Sequence, residues 1–303
     1  MFMDLRITYR KTIKNCLNYA INEIKNISQS PELDAEILLA NAIKKEKEYL
    51  YTYPEKNLTV PQIKKFQQMI SRRKKYEPIA YIIGYKEFYG LKFKVNARAL
   101  IPRPETEMLV EETLNIMNNI SPCFAILIDI GTGSGCIPIA IAKNIKNTRV
   151  KICAIDISKK TLKIAKSNAK LNNAEIKFLQ GSLLEPLKKI TKNNNLKNLI
   201  ITANLPYLPT AVYNRAMPDI KLYEPKNALA AGKDGLKYYR ELFKQIKKKL
   251  PYLSNFHILC EIDQSQKNSM AELAGKYFPN IKTQTKKDLA GLDRLFIAER
   301  KGG

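Results

Sequence analysis

Three short stretches carry residue types and spacings from which chemistry can be built. Asp129-Ile-Gly131-Thr132-Gly133-Ser134-Gly135 follows the apolar run AILIDI (125–130) and opens a second apolar segment. Glycines placed in this way permit a tight turn and the close approach of a ligand. Cys136 stands where the dinucleotide fingerprint G-x-G-x-x-G has its last glycine, so the nicotinamide version is not matched. A second run, VKICAID (150–156), ends in Asp156, 21 residues beyond Gly135. A carboxylate at that place can accept both hydroxyls of a ribose. Glycine loop and acidic strand end together point to an adenosine-containing cofactor. The third stretch is Asn204-Leu205-Pro206-Tyr207. An amide or exocyclic amino nitrogen is a poor nucleophile, because its lone pair is delocalised. The Asn204 carboxamide oxygen and the Leu205 carbonyl can accept both of its hydrogens and aim the lone pair at an electrophilic methyl group. Pro206 biases Leu205 to an extended conformation, and Tyr207 is placed to pack on a planar group. This is orientation and electrostatic positioning, not strong-base catalysis.

The elements that must hold these stretches alternate. AILIDI reads as a buried strand, followed by a helix to about Ala142, and VKICAID as a strand followed by a helix over 158–173. EIKFLQ (175–180), LIITAN (199–204), HILCEI (257–262) and LFIAER (295–300) read as further strands, with a long helix over 233–250. Such alternation predicts an α/β fold with a mostly parallel sheet covered on both faces. Ligands bind at the carboxyl ends of strands in such sheets, so the glycine loop, Asp156 and Asn204 should share one crevice. Residues 1–76 read differently, as a small helical bundle. Ser30-Pro31 is a helix-start signal, and Thr59-Val-Pro-Gln62 is a capping-box pattern. The second of these helices should end in Arg72-Arg73-Lys74-Lys75, read as a solvated terminus suited to the helix dipole. Between them, 77–100 alternates aromatic and β-branched residues around Gly84 and Gly90, which reads as a hairpin or extended linker. Residues 101–303 complete the larger domain.

Composition excludes other chemistry. Five cysteines (16, 123, 136, 153, 260) with no C-x-x-C pair, and a single histidine, remove zinc sites, histidine triads and disulfide scaffolds. His257 and Cys136 read as packing residues. No run nears the ~20 apolar residues of a membrane span, and the first fifteen residues lack the apolar core of a secretory signal. A cytoplasmic location is expected. The formal charge is +24, from 52 Lys+Arg against 28 Asp+Glu, but only 11 of those cations are Arg. Bidentate reading of phosphate or guanine favours Arg. The excess is also spread along the chain, +7 in residues 1–76 and +17 in the rest. Direct nucleic-acid binding is therefore not the expectation, although the charge leaves room for an acidic or RNA-containing partner.

The D-x-G-x-G-x-G form of 129–135 resembles that of S-adenosylmethionine-dependent methyltransferases. The longer set EPIAYIIGYKEFYGL (77–91), LIPRPETEMLVEE (100–112), DIGTGSG (129–135), NLPY (204–207), YEPKNALAAGKDGL (223–236) and DLAGLDR (288–294) resembles the peptide chain release factor N(5)-glutamine methyltransferases of the HemK type. That resemblance implies a five-helix N-terminal domain that docks the substrate, a β-hairpin linker and a Rossmann-like methyltransferase domain. It implies S-adenosylmethionine as cofactor and class 1 release factors as partners, methylated on the glutamine of a Gly-Gly-Gln motif. Carried onto this chain, Gly131, Thr132, Gly133, Ser134, Gly135 and Asp156 hold the cofactor, with Ser182, Leu183 and Asn204 beside it. Asn204, Leu205, Pro206 and Tyr207 hold the glutamine amide. The segment from Arg103 to Thr106, with Pro104 and Glu105 as a helix start, is implied to line the same cleft.

Three positions depart from the family pattern. Leu205 replaces a proline but keeps the carbonyl that would accept. Ser182 stands where an acidic residue is usual near the adenine. Cys260-Glu261-Ile262-Asp263 stands where Glu-x-Gly is usual. Other readings are N6-adenine methylation of ribosomal RNA, glutamine methylation of a ribosomal protein, and a binding module without turnover. The segments IPRPETE and DLAGLDR, and the helical N-terminus, weigh against the RNA reading. A monomer satisfies everything in the sequence.

Overall fold

In the computed structural model, the described residues are 11–119, 125–146, 150–189, 198–251 and 255–300. Cys123 and most of the Asn- and Lys-rich run at 188–198 lie outside them. The chain divides into two compact units, one running through Gly84 and also taking in Met217–Tyr223, the other formed by the rest.

The first unit contains α1 (Ile13–Ile24), α2 (Pro31–Ile43), α3 (Glu48–Thr52), α4 (Val60–Arg73) and α5 (Ile79–Ile83). Thr12 caps α1 by accepting from the Asn15 N–H. The Thr59/Gln62 capping box opens α4 as its sequence predicts. Ile13, Ile24, Leu38, Leu39, Leu50 and Phe66 are fully enclosed in the core of this unit. At the basic end of α4, Arg72, Lys74 and Lys75 are exposed as read, and Arg73 departs from that reading. Arg73 is buried and pairs with Asp34 at 2.8 Å. Arg72 pairs with Glu77 and donates to the carbonyls of Tyr81 and Ile82, both at 3.2 Å. Those two carbonyls close the end of α5, and a guanidinium fork serves several acceptors at once. Residues 79–83 are therefore helix, and Ile82 belongs to the first core. The expected hairpin over 77–100 is confined to β1 (Tyr85–Phe88) and β2 (Leu91–Lys94), joined at Tyr89-Gly90 with φ of 50° and 69°.

The second unit continues with α6 (Glu107–Asn119), β3 (Ala125–Ile130), α7 (Cys136–Asn144), β4 (Val150–Asp156) and α8 (Lys159–Leu171). Then come β5 (Lys177–Gln180), β6 (Asn198–Ala203) and α9 (Thr210–Tyr213); α10 (Pro218–Tyr223) counts with the first unit. There the Tyr223 hydroxyl donates to the Lys75 carbonyl at 2.8 Å. The chain closes with α11 (Lys237–Lys249), β7 (Phe256–Glu261), α12 (Lys267–Tyr277), β8 (Lys282–Lys287) and β9 (Asp293–Arg300).

Seven strands form one sheet in the order β5-β4-β3-β6-β7-β9-β8, with β9 and β8 antiparallel to their neighbours. Side chains alternate between two cores. Ile126, Ile128, Ile201 and Ile258 enter one, while Leu127, Ile200 and Leu259 enter the other. The predicted Rossmann-like α/β architecture is the one observed. β8 was not legible as a strand, because its sequence KTQTKK is polar; it forms an exposed edge where lysines discourage further pairing. Chain order reverses about β3, whose neighbours are β4 and β6. Such a switch point opens a crevice at the carboxyl ends of the strands.

Candidate active site

At that switch point the strands end in Ile130, Asp156, Ala203 and Glu261, and the residues just beyond each one build the site. Gly131 and Gly133 adopt φ of 72° and 56°, conformations that side chains disfavour. The loop is knitted to β4. Gly131 and Thr132 donate their N–H groups to the Ile155 carbonyl at 2.9 and 3.0 Å, and Gly133 donates to Asp156 Oδ2 at 3.0 Å. The other oxygen of Asp156 accepts from the Ser158 N–H at 2.8 Å. One carboxylate thus fixes both the glycine loop and the start of α8. Burial raises its pKa, and the two N–H donors act in the opposite direction.

A cavity of about 430 Å³ opens over this loop. Of the residues expected to hold a cofactor, Gly131, Thr132, Gly133, Ser134, Asp156, Ser182, Leu183 and Asn204 all line it. Gly135 does not. It is the N-cap of α7, with φ of 81°, and a β-carbon there would stand 3.0 Å from Ile139 Cδ1 and 3.2 Å from Ala165 Cβ. Its lack of a side chain allows the close approach of Ile139 and Ala165. Asn168, fully buried on α8, donates to the carbonyls of Ser134 and Lys94 at 2.9 and 3.0 Å, tying the loop to the hairpin. The lining also runs from Ala97 to Arg103 and includes Thr106, while Pro104 and Glu105 are not among the lining residues. Glu224 of the YEPKNAL motif holds that stretch: its buried carboxylate pairs with Arg103 and accepts from the Ile101 N–H at 3.4 Å.

Asn204, Leu205 and Pro206 line the cavity, but Tyr207 is not among its lining residues. The Tyr207 hydroxyl donates to Glu261 Oε1 at 2.9 Å. Glu261 Oε2 accepts from Thr106 Oγ1 at 2.6 Å and from Asn204 Nδ2 at 2.8 Å. Its main-chain carbonyl accepts from the Tyr239 hydroxyl. Burial raises the Glu261 pKa, against three influences that lower it: the hydroxyls of Thr106 and Tyr207 and the nearby Arg294. Burial and the Glu261 charge together hold the Tyr207 phenol well above its ordinary range. Neither the Asn204 Oδ1 nor the Leu205 carbonyl receives a hydrogen bond from a described residue.

Leu205, the first departure, is buried and packs on the glycine loop. A β-carbon on Gly131 would stand 2.9 Å from its Cδ2. Asp263, another departure, caps the turn that leads into α12, accepting from the Ser265 N–H at 3.0 Å. In the same turn, Gln266 donates to the carbonyls of Tyr207 at 2.8 Å and Asp234 at 3.1 Å. The DLAGLDR motif forms the β8–β9 turn. Asp288 accepts from the N–H groups of Ala290 and Leu292, both at 3.0 Å, and Arg294 donates to the Ile262 carbonyl at 3.3 Å.

Sequence reasoning passed over Thr106 as a ligand of anything, and over Glu224, Tyr239 and Gln266. Glu261 drew notice only as part of a departure. The signal that could have found it is positional: an acidic residue ends β7 just as Asp156 ends β4.

Comparison with known proteins adds the following. A family model described as "PrmC N-terminal domain" matches residues 15–84, and one described as "Methyltransferase domain" matches residues 125–291. A protein named release factor glutamine methyltransferase from Thermodesulfovibrio yellowstonii is 39% identical over 283 residues, covering 92% of this chain and 96% of its own. One of the same name from Coxiella burnetii is 37% identical over 295 residues, covering 95% and 99%. Among solved structures, the hMettl16 catalytic domain in complex with the MAT2A 3'UTR hairpin 6 superposes with a TM-score of 0.53. It covers 87% of this chain and 92% of that one at 12% identity, a likeness of fold alone.

Proposed function

We propose the following reaction for this chain, which belongs to the release factor glutamine methyltransferase family: it methylates the side-chain amide nitrogen of a glutamine, the one in the Gly-Gly-Gln motif of class 1 release factors. The cofactor is S-adenosylmethionine. The residues present fit it. Gly131 and Gly133 keep the floor of the cavity free of side chains. Asp156 lines the wall where a ribose would be held. When bound, the cofactor supplies a methyl group on a sulfonium sulfur; the methyl passes to nitrogen, the sulfur leaves as a neutral thioether and the nitrogen sheds a proton.

The chain's own residues must orient the amide. The observation that carries this reading is the pair of acceptors, Asn204 Oδ1 and the Leu205 carbonyl, that have no donor among the described residues, at the end of β6 beside the cavity. Two acceptors at that place hold two amide hydrogens and fix the plane of the nitrogen, so its lone pair faces the methyl carbon. They also meet the positive charge that grows on nitrogen as the bond forms. The apolar wall of Ile101, Ile130, Leu183 and Leu205 excludes water from that encounter. Docking of the release factor is assigned to the first unit, whose exposed Tyr51, Tyr53 and Val60 offer apolar contact. The four described cysteines are free and buried, which accords with a reducing cytoplasm.

The test is peptide mass spectrometry of an unmethylated release factor incubated with the protein and S-adenosylmethionine. A mass increase of one CH2 on the Gly-Gly-Gln glutamine is expected. It should be absent when that glutamine is changed to alanine and when the enzyme carries Asn204→Ala. Labelled methyl appearing instead in ribosomal RNA or in a ribosomal protein would overturn the reading.

A further inference from the structure

The Asn204 carboxamide has two ends of opposite character, and the reaction needs a definite one to face the substrate. An oxygen accepts the substrate's N–H; an NH2 group there would oppose it, donor against donor. Nothing in the asparagine itself makes that choice, since the two ends are nearly equal in size and a half-turn of the side chain exchanges them. The surroundings make it. Glu261 Oε2 lies 2.8 Å from one end of the amide. An ionised carboxylate is an acceptor only, so the end that meets it must be Nδ2, and Oδ1 is turned away.

Glu261 is itself committed. It is 3% exposed, at the end of β7. Thr106 donates to the same Oε2 at 2.6 Å and Tyr207 donates to Oε1 at 2.9 Å. Thr106 Oγ1 also lies 3.1 Å from Asn204 Nδ2 as acceptor. With its one proton spent on Glu261, the Thr106 hydroxyl can only accept from Asn204. Both neighbours of the amide nitrogen are therefore acceptors, and the direction of every bond follows from one carboxylate. A bond from Nδ2 to an anion also draws charge toward Oδ1, which makes that oxygen the stronger acceptor.

From this geometry we infer that Glu261 is a positioning residue for methyl transfer, setting the amide of Asn204 with its oxygen toward the substrate nitrogen. The inference rests on the proposed role of Asn204 as the amide acceptor. Glu261 itself is not among the residues that line the cavity.

The test reverses the direction of the bond. Glu261→Leu takes the acceptor away and frees the Thr106 proton to draw Asn204 Oδ1 inward, and kcat should fall by at least about tenfold, as for a lost oriented group. Asn204→Asp sets two carboxylates against each other and should fall by at least as much. In the double variant N204D/E261Q, the new amide at 261 donates to the new carboxylate at 204, whose other oxygen again faces the substrate. That variant should recover at least about tenfold in kcat over N204D, a coupling that independent sites do not show. Cofactor affinity by calorimetry should stay within about threefold between the parent and E261L, and between N204D and the double variant. A double variant that binds cofactor but turns over no faster than N204D overturns the inference, as does E261L with the kcat of the parent. If neither of these variants at 261 binds cofactor, Glu261→Asp decides: it keeps the buried charge but draws the carboxylate back from Asn204, so a kcat about tenfold lower at unchanged cofactor affinity supports the role and an unchanged kcat overturns it. An N204D enzyme with full activity would instead overturn the reading of Asn204.

Discussion

The carbonyl oxygen of Tyr207 lies 2.0 Å from the place where a β-carbon on Gly235 would stand. The Gln266 amide nitrogen is 2.3 Å from the same point and donates to that carbonyl at 2.8 Å. Gly235 also adopts φ of 75°. The loop that carries Asn204 to Tyr207 therefore rests against bare backbone, clamped by a buried glutamine.

Gly235→Ala should push Tyr207 away and cost about 2–4 kcal/mol, the sum of a strained φ and a clash with backbone. Its kcat should fall more than its cofactor affinity. Gly275→Ala is the control: it sits exposed in α12 with nothing within 4 Å of a new β-carbon. There the change should stabilise by about 0.5–1 kcal/mol. Thermal denaturation of the two variants checks both signs.

Leu205→Pro restores the residue usual in the family, and activity should stay within about threefold, because the acceptor is main-chain and Pro206 already favours an extended backbone. Leu205→Ala removes a buried side chain from the core and should cost about 2–4 kcal/mol. Gly131→Ala should abolish cofactor binding, since it meets both Leu205 and a φ of 72°. Calorimetric titration with S-adenosylmethionine separates the three.

Asp129 is fully buried in β3, and burial lifts its pKa to about 7; its Oδ1 accepts from Thr202 at 2.7 Å. Between the ordinary value near 4 and about 7, the folded chain holds a proton that the unfolded chain has released. Stability from this group is therefore present at low pH and falls as pH rises through that window, by on the order of 4 kcal/mol at most. Asp129→Asn cannot titrate. Urea unfolding near pH 5 and near pH 8 should show the parent losing more stability than the variant; equal losses would refute the assignment.

Burial also raises the thiols of Cys16 and Cys153 to about 11 and that of Cys136 to about 12. Thiolates react and thiols do not. Peptide mapping after brief treatment with a maleimide at neutral pH should leave Cys16, Cys136, Cys153 and Cys260 unmodified until the protein is unfolded. Rapid labelling of Cys136 would mean that the α7 end of the cavity opens to solvent.

Much of this was legible beforehand, because it is written in local patterns. The alternation of apolar runs with amphipathic helices specifies an α/β sheet, since each apolar strand must be covered on both faces. The glycine loop, the acidic end of β4 and Asn-Leu-Pro-Tyr are contiguous, and each follows an apolar run whose carboxyl end faces ligands in any such sheet. Arg73 shows where local reading fails. As part of a run of charge it looks solvated, yet it is buried and Asp34 reaches it from 39 residues away.

What tertiary structure alone decided is the company of Glu261. Its partners come from 155, 57 and 54 residues away in the chain, as Thr106, Asn204 and Tyr207. No periodicity or motif records such a meeting, because it depends on which strand ends lie side by side. The chain by itself determined that an asparagine follows β6. Only the adjacency of β6 and β7 decided which end of its amide looks outward, because a buried carboxylate next door accepts hydrogen bonds and cannot give them.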